Sequence, residues 1–173
     1  MAMPLEIPPL PISGAPLVDA LEKPPKTANE KQTAKLAIQI LLDLKVGFHL
    51  PTRQERDALL VGFAMRRKVL YGAAFDVVRI ENDVDLTAPS TVAAHIDAIT
   101  AYEIKSSNKE ATKADFGGYF FDLTTAELLV AQSLGDRYRF AFVNTLSRQW
   151  VDMTLNEIFG RARKIYPKWA ISF

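Results

Sequence analysis

The stretch Ala101-Tyr102-Glu103-Ile104-Lys105-Ser106-Ser107, AYEIKSS, decides how the chain is read. Successive side chains of a strand point to opposite faces, so Glu103 and Lys105 project together while Tyr102 and Ile104 project the other way. Upstream, Ile96, Ala98, Ile99 and Ala101 add apolar side chains to both faces, the pattern of a central strand. The plain explanation of an acid and a base on one face is an ion pair on the exposed side of an antiparallel sheet. At the end of a central strand, however, such a pair is costly unless it has partners or a function.

Working outward, Phe75 to Glu81 (FDVVRIE) is short, β-branched and alternating, and Ile96 to Lys105 is similar. The polar run Asn82 to Asp85 and the Pro89-Ser90 turn signal between them predict an antiparallel hairpin with a long connection. Residues 106 to 117 read as polar and irregular. A third strand is expected over Tyr119 to Leu123, then a helix from the capping pair Thr124 and Glu127 to Leu134. Gly135-Asp136 turns the chain into an alternating strand, Tyr138 to Val143. The crossover helix favours parallel pairing between the third and fourth strands. Thr154 and Glu157 cap a last helix stopped by Pro167, and Trp169 to Phe173 could add an edge strand.

Before the hairpin, Thr27 and Glu30 start a helix to about Leu44, with Ala34, Ala37, Ile38, Leu41 and Leu44 as its apolar stripe. Pro51-Thr52-Arg53-Gln54-Glu55 starts a second, carrying Leu59, Leu60, Phe63 and Val69 to near Leu70, with Gly72 ending it. The expected fold class is α/β, a mixed central sheet flanked by helices over residues 27–173. Residues 1–26 read as an extended proline-rich arm. Seven of the ten prolines lie in the first 25 residues, where each removes a backbone donor. Leu5, Ile7, Leu10, Ile12, Leu17, Val18 and Leu21 make this arm too apolar for a purely solvated linker, so it packs on its own domain or grips another chain.

The 173 residues, 49% of them hydrophobic, suffice for one substantial core, and a formal charge of +1 neither demands nor excludes nucleic acid. Cysteine is absent, which removes disulfides and thiolate chemistry and fits a reducing cytoplasm. The two histidines, His49 and His95, carry no assigned role. No apolar run approaches the ~20 residues of a membrane helix, so a soluble, cytoplasmic protein without a membrane partner is expected.

The hairpin is locally acidic: Asp76, Glu81, Asp83, Asp85, Asp97 and Glu103 stand against Arg79 alone. Clustered carboxylates repel unless a cation compensates, and a hard divalent ion, Mg2+ or Mn2+, takes such oxygen ligands. These residues carry a resemblance. A hairpin closed by E-I-K-S-S, a polar loop, FDLTTAEL and GDRYRFAFVN resembles the PD-(D/E)xK, restriction-endonuclease-like nuclease superfamily, closest to its Mrr-like restriction-associated branch, over roughly residues 53 to 145. The resemblance implies a metal-dependent endonuclease, a hydrolase cutting DNA phosphodiesters, in which paired carboxylates bind the metal and a lysine acts on the attacking water. Glu103 and Lys105 map directly onto the motif.

The leading aspartate maps less cleanly. At about 3.3 Å per residue, Asp97 would lie roughly 20 Å from Glu103 on one straight strand. Folding the hairpin near position 90 brings Asp76 opposite 103 to 105, and Ala74-Phe75-Asp76 resembles the branch's glycine-aromatic-aspartate with the glycine lost. Asp76 is therefore the expected partner of Glu103 in catalysis and metal binding, with Asp83 next. The resemblance also allows helix acids such as Glu30 and Glu55 to complete the site, but these, like Glu127, each have a sufficient structural reason as the third residue of a capping box. For nucleic acid, Lys109 and Lys113 follow the motif. Arg137 and Arg139 open a C-terminal basic stretch that also holds Arg148, Arg161, Arg163, Lys164 and Lys168. A solvated helix face would explain that stretch equally well.

DNA is the expected partner, with a homodimer or a larger complex formed through the arm. The alternative is a catalytically inactive nuclease-fold subunit that binds nucleic acid or docks a partner through its N-terminal arm. In a third reading, an adaptor, E-x-K is only a surface pair.

Overall fold

The computed structural model describes residues 28–166. The proline-rich arm, Thr27, Pro167, Lys168 and the Trp169 to Phe173 strand lie outside the described residues. Helix α1 (Ala28–Asp43) is followed by the short strand β1 (Phe48–His49), helix α2 (Arg53–Met65) and strand β2 (Val77–Ile80). The connection to β3 (Ile99–Ser107) contains helix α3 (Pro89–Ala94); α4 (Thr125–Leu134), β4 (Tyr138–Asn144), β5 (Trp150–Met153) and α5 (Leu155–Arg161) complete the chain.

The five strands form one sheet in sequence order. β1–β2, β2–β3 and β4–β5 are antiparallel, and β3–β4 is parallel. The chain is thus an α/β protein with a mixed, helix-flanked sheet. β3 is its central strand, and its first six residues are buried. That burial is the physical reason for apolar residues on both of its faces.

Two cores separate the faces. On one, Ala37, Ile40 and Leu41 of α1 pack on Val77, Tyr102, Ile104 and Ala141. On the other, Leu59 and Phe63 of α2, Val92 of α3 and Val130 of α4 pack on Val78, Ala101 and Phe140. Glu103 and Lys105 alternate with Tyr102 and Ile104 and so belong to this second face.

Three expectations need correction. Tyr119 to Leu123 alternates in burial but joins no ladder. Its amide end turns on Phe116, and Phe121 packs edge-on against Phe142 with centroids 4.8 Å apart. The segment crosses the sheet face instead of entering the sheet, so the parallel pairing joins β4 to β3. Second, α2 ends at Met65: Arg67 takes the left-handed conformation (φ 55°), and the Lys68 N–H returns to the Phe63 carbonyl at 3.0 Å. A non-glycine residue thus closes the helix, Val69 is exposed, and Gly72 opens a 3-10 turn instead. Third, residues 96–98 form a 3-10 turn, so Asp97 precedes the strand. β1 and β5 were not anticipated.

Candidate active site

The hairpin register places the first acid. Val77 pairs with Tyr102, which sets Asp76 one step beyond, beside Glu103. The Asp76 N–H donates to the Tyr102 carbonyl at 2.8 Å. β3 outruns β2 here, and the Ile104 N–H finds its acceptor in Asp76 Oδ2 at 2.9 Å. The carboxylate is therefore locked against the edge of β3.

Lys105 lies on the same face. Its Nζ donates to Glu127 Oε2 at 2.8 Å and to Glu103 Oε1 at 3.3 Å. The side chains of Glu103, Glu127 and Lys105 are 2%, 0% and 12% exposed, so E-x-K is not a surface pair. Charge-assisted bonds at this depth are strong, and losing one partner leaves a buried charge uncompensated.

Glu127 reaches the site because its capping role fixes it. The Thr124 N–H donates to the same Oε2 at 3.1 Å, while the Glu127 N–H donates to Thr124 Oγ1 at 3.2 Å. One carboxylate oxygen thus couples the start of α4 to Lys105. Sequence reasoning stopped at the capping explanation. The missed signal was periodicity: position 127 lies on the stripe of Val130, Ala131 and Leu134, all buried.

Arg56 is the second residue missed, and its signal is the same, since it shares a stripe with Leu59 and Phe63. Its guanidinium donates to the carbonyls of Gly72 (2.8 Å), Phe75 (2.9 Å) and Asp76 (3.2 Å) and lies 4.1 Å from the Phe75 ring centroid. This planar fork clamps the segment that delivers Asp76. Burial lowers its pKa, while the charges of Asp76 and Glu103 oppose that shift. The Tyr138 hydroxyl donates to the Ala74 carbonyl. Burial, then the charges of Glu103, Glu127 and Asp76, hold it well above the ordinary phenol range. Among the described residues, the carboxylates of Asp76, Glu103 and Glu127 meet Lys105 and Arg56 in this region.

The loop after β3 is tied down near Lys105. Tyr119 Oη donates to the Ser106 carbonyl at 2.7 Å, Ser107 Oγ lies 2.7 Å from Thr112 Oγ1, and Asn144 Nδ2 donates to the Lys109 carbonyl at 3.2 Å. Lys109 and Lys113 are exposed on this loop, and among the described residues neither forms an ion pair.

Other candidates lie elsewhere. Asp83 is exposed in the connection beyond Ile80, whose partner is Ile99, so it sits at the opposite end of the hairpin from Glu103. The antiparallel geometry that brings Asp76 in carries Asp83 away. Arg139 shares the Tyr102 face, opposite to Lys105, and is held by Asp152 at 2.7 Å and Glu157 at 3.4 Å. Arg137 pairs with Glu81 at 3.1 Å, Arg148 with Asp43 at 3.0 Å and Arg161 with Asp115 at 3.5 Å. Arg137, Arg139, Arg148 and Arg161 of the basic stretch are thus each answered by a local acid. A concavity of about 530 Å3 beside it is lined by Arg79, Arg137 and Arg139 and equally by Glu81, Asp136 and Asp152. Glu55 caps α2 and also contacts His49 Nε2 at 3.0 Å.

The hard oxygen donors of Asp76, just before β2, and Glu103, on β3, are of the kind Mg2+ or Mn2+ takes. Among the described residues, no group of three or more His, Cys, Asp or Glu side chains surrounds one point closely enough to hold a metal ion. Among the same residues, no helix is long and apolar enough to cross a membrane. Comparison with protein-family models, curated proteins and solved structures finds no match.

Proposed function

We propose that the chain is a metal-dependent nuclease of restriction-endonuclease-like fold that hydrolyses DNA phosphodiester bonds. The observation that carries this reading is Lys105, seated 2.8 Å from Glu127 and 3.3 Å from Glu103 at the end of a buried central strand. The antiparallel β2–β3 hairpin and the parallel β3–α4–β4 crossover support the fold assignment, since they set the E-x-K strand beside an aspartate on one side. Asp76 and Glu103 would hold Mg2+ or Mn2+. Such an ion, when bound, acidifies water and offsets charge on the phosphate oxygens.

Lys105 supplies the complementary group. An ammonium has three N–H donors, and two are directed at Glu103 and Glu127, leaving the third for the attacking water or a phosphate oxygen. Glu127 holds that donor in place without touching substrate, and Arg56 does the same for the segment that delivers Asp76. Residues 1–26 would join the chain to a second copy or a larger restriction, repair or mobile-element assembly.

The test uses the full chain with Mg2+ or Mn2+ on single- and double-stranded DNA and RNA. Cleavage of DNA is expected, with Lys105→Ala slowing it by about 10²–10⁴-fold, the scale of losing a positioned proton donor. Intact substrates in every combination would sink the enzyme reading. One observation favours the inactive-subunit alternative: Asp76 Oδ2 already serves the Ile104 N–H. In that case nucleic-acid or partner binding would survive Lys105→Ala while no cleavage occurred.

A further inference from the structure

We propose that Phe120 is a stacking platform for an unpaired base, which makes single-stranded nucleic acid, or a strand opened at the site, the preferred ligand. This inference rests on the nuclease reading for its setting, but its observations are separate. Phe120 is 73% exposed, although it lies in a segment whose neighbours are anchored. Tyr119 and Phe121 stack on each other, with centroids 6.1 Å apart, and both pack against Phe142 on the Lys105 face. Alternation then sends the Phe120 ring outward to solvent. Single exposed apolar side chains are ordinary on protein surfaces; this one is set apart by the anchoring of both its neighbours, which holds its backbone in place while the ring stays uncovered.

Its position gives the class of partner. The Tyr119 hydroxyl is bonded to the Ser106 carbonyl, one residue past Lys105, at 2.7 Å. Seven residues after Phe120, Glu127 is bonded to Lys105 itself at 2.8 Å. The segment carrying Phe120 is therefore pinned on both sides to the strand end that presents Lys105. Lys109 and Lys113, exposed and outside any ion pair among the described residues, belong to the same loop. Exposed ammonium groups and an exposed aromatic on one loop are the two elements that bind single strands: cations follow the phosphates, and the ring takes a base face. A base within a duplex has both faces occupied by its neighbours, so the ring discriminates in favour of unpaired bases.

The experiment measures binding by fluorescence anisotropy with the full chain in EDTA, using a labelled single-stranded oligonucleotide and its duplex. Phe120→Ala should weaken single-strand binding by roughly 5- to 100-fold, the effect of one lost base stack. Duplex binding should change less than about twofold, and Phe120→Trp should retain single-strand affinity. The inference is overturned if Phe120→Ala binds single strands like the parent, or loses both forms equally. It is also overturned if the variant changes only sedimentation behaviour, which would make the ring a protein contact. Because no metal is present, the nuclease reading fails separately: Phe120-dependent binding without cleavage would leave this inference standing, and cleavage indifferent to Phe120 would do the reverse.

Discussion

The two faces of the central sheet each hold a small cluster of charged side chains, and the clusters differ in burial. On the α1 face, Asp152 accepts from Arg139 at 2.7 Å and from the Tyr102 hydroxyl at 3.0 Å. Arg139 and Asp152 are each a quarter exposed, Arg139 also reaches the more exposed Glu157 at 3.4 Å, and the phenol is pushed up to about 12 by burial and then by Asp152. On the α4 face, Asp76, Glu103 and Glu127 gather about Lys105 and Arg56, with Glu103 and Glu127 almost fully buried. A solvent-accessible cluster of paired charges is explained by structure alone. A buried group of carboxylates raises the cost of each charge unless a cation is near; the function proposed above would give this one a metal ion to hold.

The comparison is broken most directly at Lys105. Replacing it with methionine removes the ammonium from between two buried carboxylates while keeping the length of the side chain. Loss of one partner from a buried pair costs about 3–5 kcal/mol. Urea denaturation of Lys105→Met should show a loss of that size. If the acid face is a cation site, millimolar Mg2+ or Mn2+ should recover part of it, because a ligand that binds only the folded state stabilises it. A variant as stable as the parent, or one indifferent to either ion, would make this face as structural as the other.

The contrast between faces was partly legible in the sequence. The hairpin register could be read because the polar connection fixes the fold-back point, and one correct register places every pair along it. The boxes at Thr52 and Glu55, Thr124 and Glu127, and Thr154 and Glu157 formed because the chemistry lies within four residues. Tertiary effects were harder to read. β1 and β5 contain two and four residues, too few for a period to register, and exist because β2 and β4 offer edges to pair with. Tyr119 to Leu123 had a strand's alternation, but its inward groups pack across a sheet face, and periodicity does not distinguish the two. On α1, the stripe shifted to Ala37, Ile40 and Leu41, leaving Leu44 exposed because the helix ends before it. Glu127 and Arg56 were visible as polar residues on apolar stripes. A local explanation for Glu127 hid its longer-range one.

A smaller effect is expected where the structural explanation suffices. Arg139→Met removes a pair whose members are each 25% exposed. Water screens such charges, so a double-mutant cycle with Asp152→Asn should give a coupling of less than about 1 kcal/mol. Cleavage should be unchanged, since Arg139 lies on the face away from Lys105. A coupling of several kcal/mol, or a loss of cleavage, would show that the two faces act as one site across the sheet.

The smallest effect is expected at Arg137, and it sharpens the distinction between basic residues that are neutralised and those that are not. Its bond to Glu81 at 3.1 Å joins side chains 36% and 50% exposed, so Arg137→Ala should move stability by less than about 0.5 kcal/mol. The more informative readout is the salt dependence of nucleic-acid binding, since each cation that neutralises a phosphate contributes roughly one unit to the logarithmic slope. Lys109→Ala should lower that slope by about one unit, because among the described residues no ion pair already answers its charge. Arg137→Ala should leave it unchanged, because Glu81 already answers its charge. Equal changes for both residues would extend the nucleic-acid surface around the edge of the sheet and erase the difference between its faces.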